Sequence, residues 1–109
     1  MNSKSIIPRE QARRDIEDAT AYYQSEGSEQ AAVGFINAVE RAFADICRHP
    51  AIGSPRYAHE LNLPGLRSLQ LTRYPHVIFY VEREDHIDVW RVLHGGRDIP
   101  ALMQESDDV

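Results

Sequence analysis

The chain contains little cysteine and has no long apolar run. Cys47 is the only cysteine among 109 residues, which excludes an intramolecular disulfide and a zinc site built from several cysteines. Its position in an apolar helical repeat predicts a buried, unreactive thiol. No stretch approaches the ~18 apolar residues that a membrane span needs, and the polar residues 2–5 provide no signal-peptide core. We therefore expect a cytoplasmic protein with no membrane partner.

Basic residues are also scarce. The chain has 12 Lys and Arg against 17 Asp and Glu, a net charge of −5, and Lys4 is its only lysine. Proteins that bind nucleic acid usually present an excess of basic residues to phosphate, so no direct nucleic-acid binding is expected. The five histidines show no spacing typical of metal ligands, and no nucleotide-binding motif is present. We predict no metal and no cofactor.

The length is that of one ordinary domain, so residues 1–109 are expected to form a single domain. The first half of the chain predicts a helical hairpin. Residues 4–7 predict a brief edge strand that stops at Pro8. Gly27 is placed to end a first helix that starts at Arg9, and Ser28 to cap a second helix that ends before Pro50. The connection is too short for anything but antiparallel helices. Apolar stripes at helical spacing support both helices: Ala12, Ile16, Ala19 and Tyr23, then Ala32, Phe35, Val39, Ala42 and Ile46.

The second half of the chain predicts a sheet. Residues 50–65 hold too many glycines and prolines for regular structure, although Tyr57 and Leu61 could fold back on the core. Three extended runs follow, over residues 66–73, 76–83 and 86–94, and their short turns predict an antiparallel meander. The middle run is apolar on both faces, so it is predicted to be central. The helical hairpin can cover one face, and the other is expected to expose apolar and aromatic groups that need a cover or a partner, which makes it the first site candidate. Residues 98–104 predict a short helix capped by Asp98.

Several side chains in or beside this sheet are candidates for a site. Arg67, Arg73, Arg91 and Arg97 could hold a phosphate or a carboxylate, or they could be solvated charges paired with Glu82, Asp88 and Asp98. His94 before Gly95-Gly96 could act as a general acid or base beside Arg97. Alternatively, His94 holds the end of the last strand by a backbone hydrogen bond. Tyr80 and Trp90 are more typical of core or partner contacts than of base stacking.

Linked motifs in one order closely resemble the ParE branch of the RelE/ParE toxin superfamily. They are Leu63-Pro64-Gly65-Leu66-Arg67, Ile78-Phe79-Tyr80 and the run from Arg91 through His94-Gly95-Gly96-Arg97 to Asp98. The resemblance implies an α+β fold of order β-α-α-β-β-β with a short C-terminal helix, in which a helical hairpin packs on a small, mainly antiparallel sheet. It also implies a ParD-like antitoxin whose C-terminal segment wraps the toxin and whose N-terminal part binds operator DNA.

The resemblance leaves three functions to compare. ParE-like members resemble non-enzymatic poisons of DNA gyrase, with roles in growth inhibition and plasmid stabilisation. RelE-like members resemble ribosome-dependent mRNA endoribonucleases, for which His94, Arg97, Arg67 and Arg73 would have to carry catalysis. The family's lysines are absent here and no tyrosine follows Tyr80, so we favour the gyrase poison. A non-toxic relative that only binds antitoxin is the third alternative. The candidates for target or antitoxin contact are Arg67, Arg73, Tyr80, Trp90, Arg91, His94 and Arg97.

Overall fold

A computed structural model of the chain describes residues 4–96 and 99–105. The strands are β1 (Ser5–Pro8), β2 (Leu66–Gln70), β3 (His76–Glu82) and β4 (His86–His94). The α-helices are α1 (Glu10–Glu26), α2 (Glu29–Arg48), α3 (Arg56–Glu60) and α4 (Ile99–Glu105), and a 3₁₀ turn covers Pro50–Ile52. The order confirms the predicted α+β class. Within the described ranges, no helix has the length and apolar character needed to cross a membrane.

The helical hairpin forms where the sequence predicts it. The Ser28 hydroxyl accepts a hydrogen bond from the backbone N–H of Ala31 at 3.0 Å, which caps the first turn of α2. The backbone N–H of Gly27 donates to the carbonyl of Tyr23 at 3.0 Å and closes α1. Cys47 is only partly buried, and this burial raises the pKa of its thiol. Both apolar stripes face the sheet through Ala12, Phe35 and their neighbours.

The sheet has the strand order β1-β4-β3-β2. The pairs β2–β3 and β3–β4 are antiparallel, as predicted, and β1 lies parallel to β4 at the sheet edge. The register of β3 against β4 shifts between Phe79 and Tyr80, so Trp90 is an extra residue in β4. This bulge changes which residues of the two strands lie opposite each other in the C-terminal half of β4.

Two segments differ from the prediction. β2 ends at Gln70 rather than at Arg73, because the chain already turns there and Arg73 adopts a positive φ of 73°. Residues 50–65, expected to lack regular structure, contain the 3₁₀ turn and α3. Tyr57 and Leu61 do pack on the core, as the sequence predicts.

The second sheet face, for which the sequence left a cover or a partner open, has a cover within the chain and is not the free surface that was the first site candidate. On that face Phe79 is fully buried and Trp90 is 8% exposed. Tyr57 from α3 packs edge-on to Phe79, with ring centroids 5.4 Å apart, and Met103 from α4 is 1% exposed. Helix α3 and the C-terminal helix α4 therefore supply the cover, and a second core cluster forms under them.

Met103 tests whether α4 stabilises the fold through this second cluster. Met103→Ala leaves a cavity in the cluster and should lower the free energy of unfolding by about 2–5 kcal/mol. The control is Val33→Ala, because Val33 is 52% exposed on α2; its effect should stay below about 0.5 kcal/mol. Urea unfolding of the three proteins measures both values, and equal values would contradict the packing of α4.

Candidate partner-binding groove

A groove of about 770 Å³ lies between α1 and the C-terminal half of β4. We call it the α1–β4 groove and define it by Asp15, Tyr22, His76, Arg91 and His94. Tyr22 is 60% exposed at its rim, whereas Arg91 and His76 are buried in its wall. The groove therefore combines an accessible aromatic ring with buried polar groups.

The groove exists because β1 is shorter than β4. β1 pairs with β4 only as far as Val89, so no strand covers the outer edge of β4 from there to His94. Helix α1 lies there instead, and the Asp15 carboxylate accepts a hydrogen bond from the backbone N–H of Val92 at 3.0 Å. A side chain thus satisfies an edge amide that a neighbouring strand would otherwise bind.

Arg91 is bound to the same carboxylate. Its Nε donates to Asp15 Oδ2 at 2.7 Å and its Nη2 to Asp15 Oδ1 at 2.9 Å, while its Nη1 donates to the carbonyl of Leu102 at 3.0 Å. The two side chains of the ion pair are only 8% and 10% exposed. All three guanidinium nitrogens are therefore used within the protein, and they join α1, β4 and α4.

His76 and His94 lie opposite each other on β3 and β4, with ring centroids 5.4 Å apart. His76 is 7% exposed, its Nδ1 has no hydrogen-bond partner in the described structure, and its ring packs 4.9 Å from that of Phe35. Burial lowers the pKa of His76 to about 4; repulsion by His94 contributes, and Asp15 opposes the shift. His76 is therefore neutral at pH 7.

His94 is exposed, and its Nδ1 accepts a hydrogen bond from the backbone N–H of Gly96 at 3.0 Å. This is the backbone contact expected if His94 holds the end of the last strand. The bond also fixes the tautomer, since the accepting Nδ1 of a neutral ring leaves Nε2 protonated.

Arg67 and Tyr80 meet at the loop before α3 instead of in the groove. Arg67 donates to the carbonyl of Gly53 at 2.7 Å. The Tyr80 hydroxyl donates to the carbonyl of Pro50 at 2.7 Å and accepts from the N–H of Gly53 at 2.8 Å. Tyr80 is fully buried, so both side chains hold this loop on the sheet.

Trp90 belongs to an ion-pair cluster on the second face. Its Nε1 donates to Asp88 at 3.1 Å, and the guanidinium of Arg9 lies 4.4 Å above its ring. Burial raises the pKa of Asp88, but hydrogen bonds from Arg9, Arg83 and Trp90 outweigh burial and hold it below its ordinary value. Asp88 therefore stays ionised while partly buried.

The structure brings together only part of the predicted set. Arg91 and His94 share the groove, Arg67, Tyr80 and Trp90 lie elsewhere, and Arg73 is exposed in the β2–β3 turn. Arg97 and the predicted cap Asp98 lie outside the described residues. Within the described part of the chain, no cluster of three or more His, Cys, Asp or Glu could hold a metal ion.

Asp15 and His76 are groove residues that were not predicted from the sequence. Asp15 lies between Ala12 and Ala19 on the core-facing stripe of α1, and a carboxylate at such a position signals a buried cationic partner. His76 carries no comparable signal, because its position opposite His94 depends on the bulge in β4.

Asp15→Asn tests the buried ion pair. The substitution leaves the Arg91 charge buried without a counterion and should lower the free energy of unfolding by about 2–4 kcal/mol. Asp18→Asn is the matched control, because Asp18 is an exposed carboxylate of the same groove on the same helix; we expect a change within about 0.5 kcal/mol. Thermal and urea unfolding measure both, and a neutral Asp15→Asn would contradict the pair's structural role.

His76→Phe tests the buried neutral imidazole. A folded-state pKa of about 4 lies below the ordinary 6.5, so the unfolded chain binds more protons in that window and stability falls as pH drops from 6.5 to 4. Phe keeps a ring against Phe35 but cannot titrate. Urea unfolding at several pH values should show a shallower fall for His76→Phe than for the parent protein, and parallel curves would contradict the assignment.

Comparisons with known proteins agree with this architecture. A chain in the solved structure of the chromosomal ParDE TA system from P. aeruginosa superimposes with a TM-score of 0.71 at 17% identity, covering 84% of this chain and 96% of that chain. The likeness shows the same fold. No curated protein matches significantly. The family model for the ParE toxin of the type II toxin–antitoxin system, parDE, matches residues 6–99. Because this match spans most of the chain, the chain belongs to the ParE toxin family.

Proposed function

We propose that this ParE-family chain inhibits DNA gyrase by binding it without catalysis, and that a ParD-like antitoxin neutralises it. The observation that supports a binder over a nuclease is the engagement of Arg91. Its three guanidinium nitrogens already donate to Asp15 and Leu102 inside the protein. Three of its five N–H groups are used in this way and the side chain is only 8% exposed, so this arginine is poorly placed to bind an RNA phosphate.

The remaining described polar groups of the groove favour the same choice. Attack by an RNA 2′-hydroxyl calls for a base near neutral pH and a free cation beside the reacting phosphate. His76 is buried with a pKa of about 4, and His94 uses its Nδ1 on Gly96. Arg67, which lies outside the groove, donates to loop carbonyls. The net charge of −5 also opposes approach to a polyanion.

The α1–β4 groove suits a protein segment. The exposed Tyr22 ring at its rim can supply apolar contact area. The Asp15 carboxylate already binds the Val92 edge amide of β4, so the groove offers a partner side-chain contacts rather than added strand pairing. We propose that the antitoxin segment binds in this groove, and that Tyr22 and His94 are its contacts.

The first experiment combines the purified protein with DNA gyrase, relaxed plasmid and ATP. A gyrase poison should slow supercoiling and cause linear, cleaved DNA to accumulate, and a purified ParD-like antitoxin should suppress both effects. His94→Ala should retain most of the inhibition, because a binder loses only what that contact contributes. Active gyrase in the presence of demonstrably folded protein would contradict the proposal.

The nuclease alternative has its own assay. Translating ribosomes are incubated with the protein, and mRNA cleavage is mapped by primer extension. A nuclease would cleave, and His94→Ala would lower the rate by about 10²–10⁴-fold while the protein stays folded. Cleavage with this dependence would replace the gyrase proposal with the RelE-like function.

A further inference from the structure

A second groove, of about 530 Å³, lies between α2 and the turn that joins β2 to β3. We call it the α2–turn groove. Two exposed arginines line it, Arg41 from α2 and Arg73 from the turn, and Asn37 and Thr72 add polar groups beside them. None of these residues belongs to the α1–β4 groove.

The two arginines differ from most others in the described structure because their side chains have no partner among the described residues. Among the described arginines, most are already engaged: Arg9, Arg14, Arg48, Arg83 and Arg91 bind carboxylates, Arg67 binds carbonyls and Arg56 lies over the Tyr57 ring. The side chains of Arg41 and Arg73 make no hydrogen bond or ion pair with the described residues, and the same holds for the side chain of Arg13 on α1. In a chain of net charge −5, two uncompensated guanidinium groups share one groove.

Arg73 also occupies a backbone conformation that disfavours it. Its φ of 73° lies in the left-handed region, where glycine and asparagine are the residues that fit with little strain. Strained residues of this kind concentrate at binding sites, because the surrounding structure holds them in place for a contact they make. A turn optimised for stability alone would have glycine here.

The lining of the groove selects the class of ligand. Guanidinium groups bind carboxylate and phosphate by paired hydrogen bonds. Apolar groups lie beside them, including Ile52, which is 46% exposed, and Leu69. The one carboxylate of the groove, on Asp45, is already bound to Arg48 at 2.8 Å. A nucleic-acid backbone would leave the apolar wall uncovered, whereas a peptide with acidic and apolar side chains matches both the arginines and the wall.

We propose that the α2–turn groove is a docking site for an acidic peptide segment of a protein partner, with Arg41 and Arg73 binding its Asp or Glu carboxylates and Ile52 and Leu69 contacting a neighbouring apolar side chain. The site lies apart from the α1–β4 groove. It does not depend on gyrase being the target.

The test starts with selection from a random peptide library displayed on phage, carried out in parallel on the native protein, Arg41→Gln/Arg73→Gln and Arg13→Gln. Arg13→Gln is the matched control, since Arg13 is an exposed, unpaired arginine outside the groove. The native protein and the control should enrich peptides that combine Asp or Glu with an apolar residue, and the double variant should not. No acidic enrichment, or the same enrichment on the double variant, would overturn the proposal.

The affinity of each protein variant for one enriched peptide is then measured, so that a loss of binding can be distinguished from a loss of folding. Fluorescence anisotropy should show about a fivefold loss for Arg41→Gln, roughly a 20-fold loss for the double variant and no change for Arg13→Gln. Arg73→Gly relieves the left-handed strain, so it should raise the unfolding midpoint while also lowering peptide affinity about fivefold. Unchanged affinity in this stabilised variant would overturn the role of Arg73.

A labelled DNA duplex tests the alternative that the groove binds phosphate. If the native protein binds the duplex more tightly than the enriched peptide, and the double variant loses that binding while Arg13→Gln keeps it, the groove binds phosphate and the peptide proposal is overturned. Peptide binding remains measurable whether or not gyrase is inhibited, so failure of one proposal is distinguishable from failure of the other.

Discussion

The arrangement of the α1–β4 groove depends on the Asp15 carboxylate. This one group binds the Arg91 guanidinium at two nitrogens and the Val92 backbone N–H, at distances of 2.7–3.0 Å. It therefore closes the exposed edge of β4 and neutralises the most buried arginine described in the chain. Arg91 in turn binds Leu102 of α4. A single buried ion pair thus ties the first helix, the last strand and the C-terminal helix together.

Much of the fold follows from local patterns in the sequence. The stripes led by Ala12 and Phe35 define two helices, Ser28 caps the second, and the alternation in Val77–Val81 identifies a strand with two apolar faces. These features are predictable because helix and strand periodicities are set by backbone geometry alone. Which face the short helices α3 and α4 would cover was less predictable, because Tyr57 and Met103 lie in elements that gain stability only from the sheet they pack on.

The site is less predictable than the fold. The turn between β3 and β4 closes through Arg83 and His86, and continuing that register without interruption would place His76 opposite Leu93. The bulge at Trp90 shifts the pairing by one residue and brings His76 and His94 together. Bulges arise from long-range packing and leave no mark in strand alternation. Likewise, Asp15 and Arg91 are 76 residues apart in the chain, and only the folded sheet shows that one neutralises the other.

The parallel pairing of β1 with β4 has a consequence for when this protein becomes folded during synthesis. Ser5 pairs with His86, so β1 must wait until β4 has been synthesised before the two strands can hydrogen-bond. Asp15 likewise waits for Arg91. Contacts of such long sequence separation form late and slow folding. A nascent or truncated chain that ends before β4 therefore lacks the sheet edge, the buried ion pair and the α1–β4 groove together. The groove therefore cannot act from the ribosome before β4 has emerged.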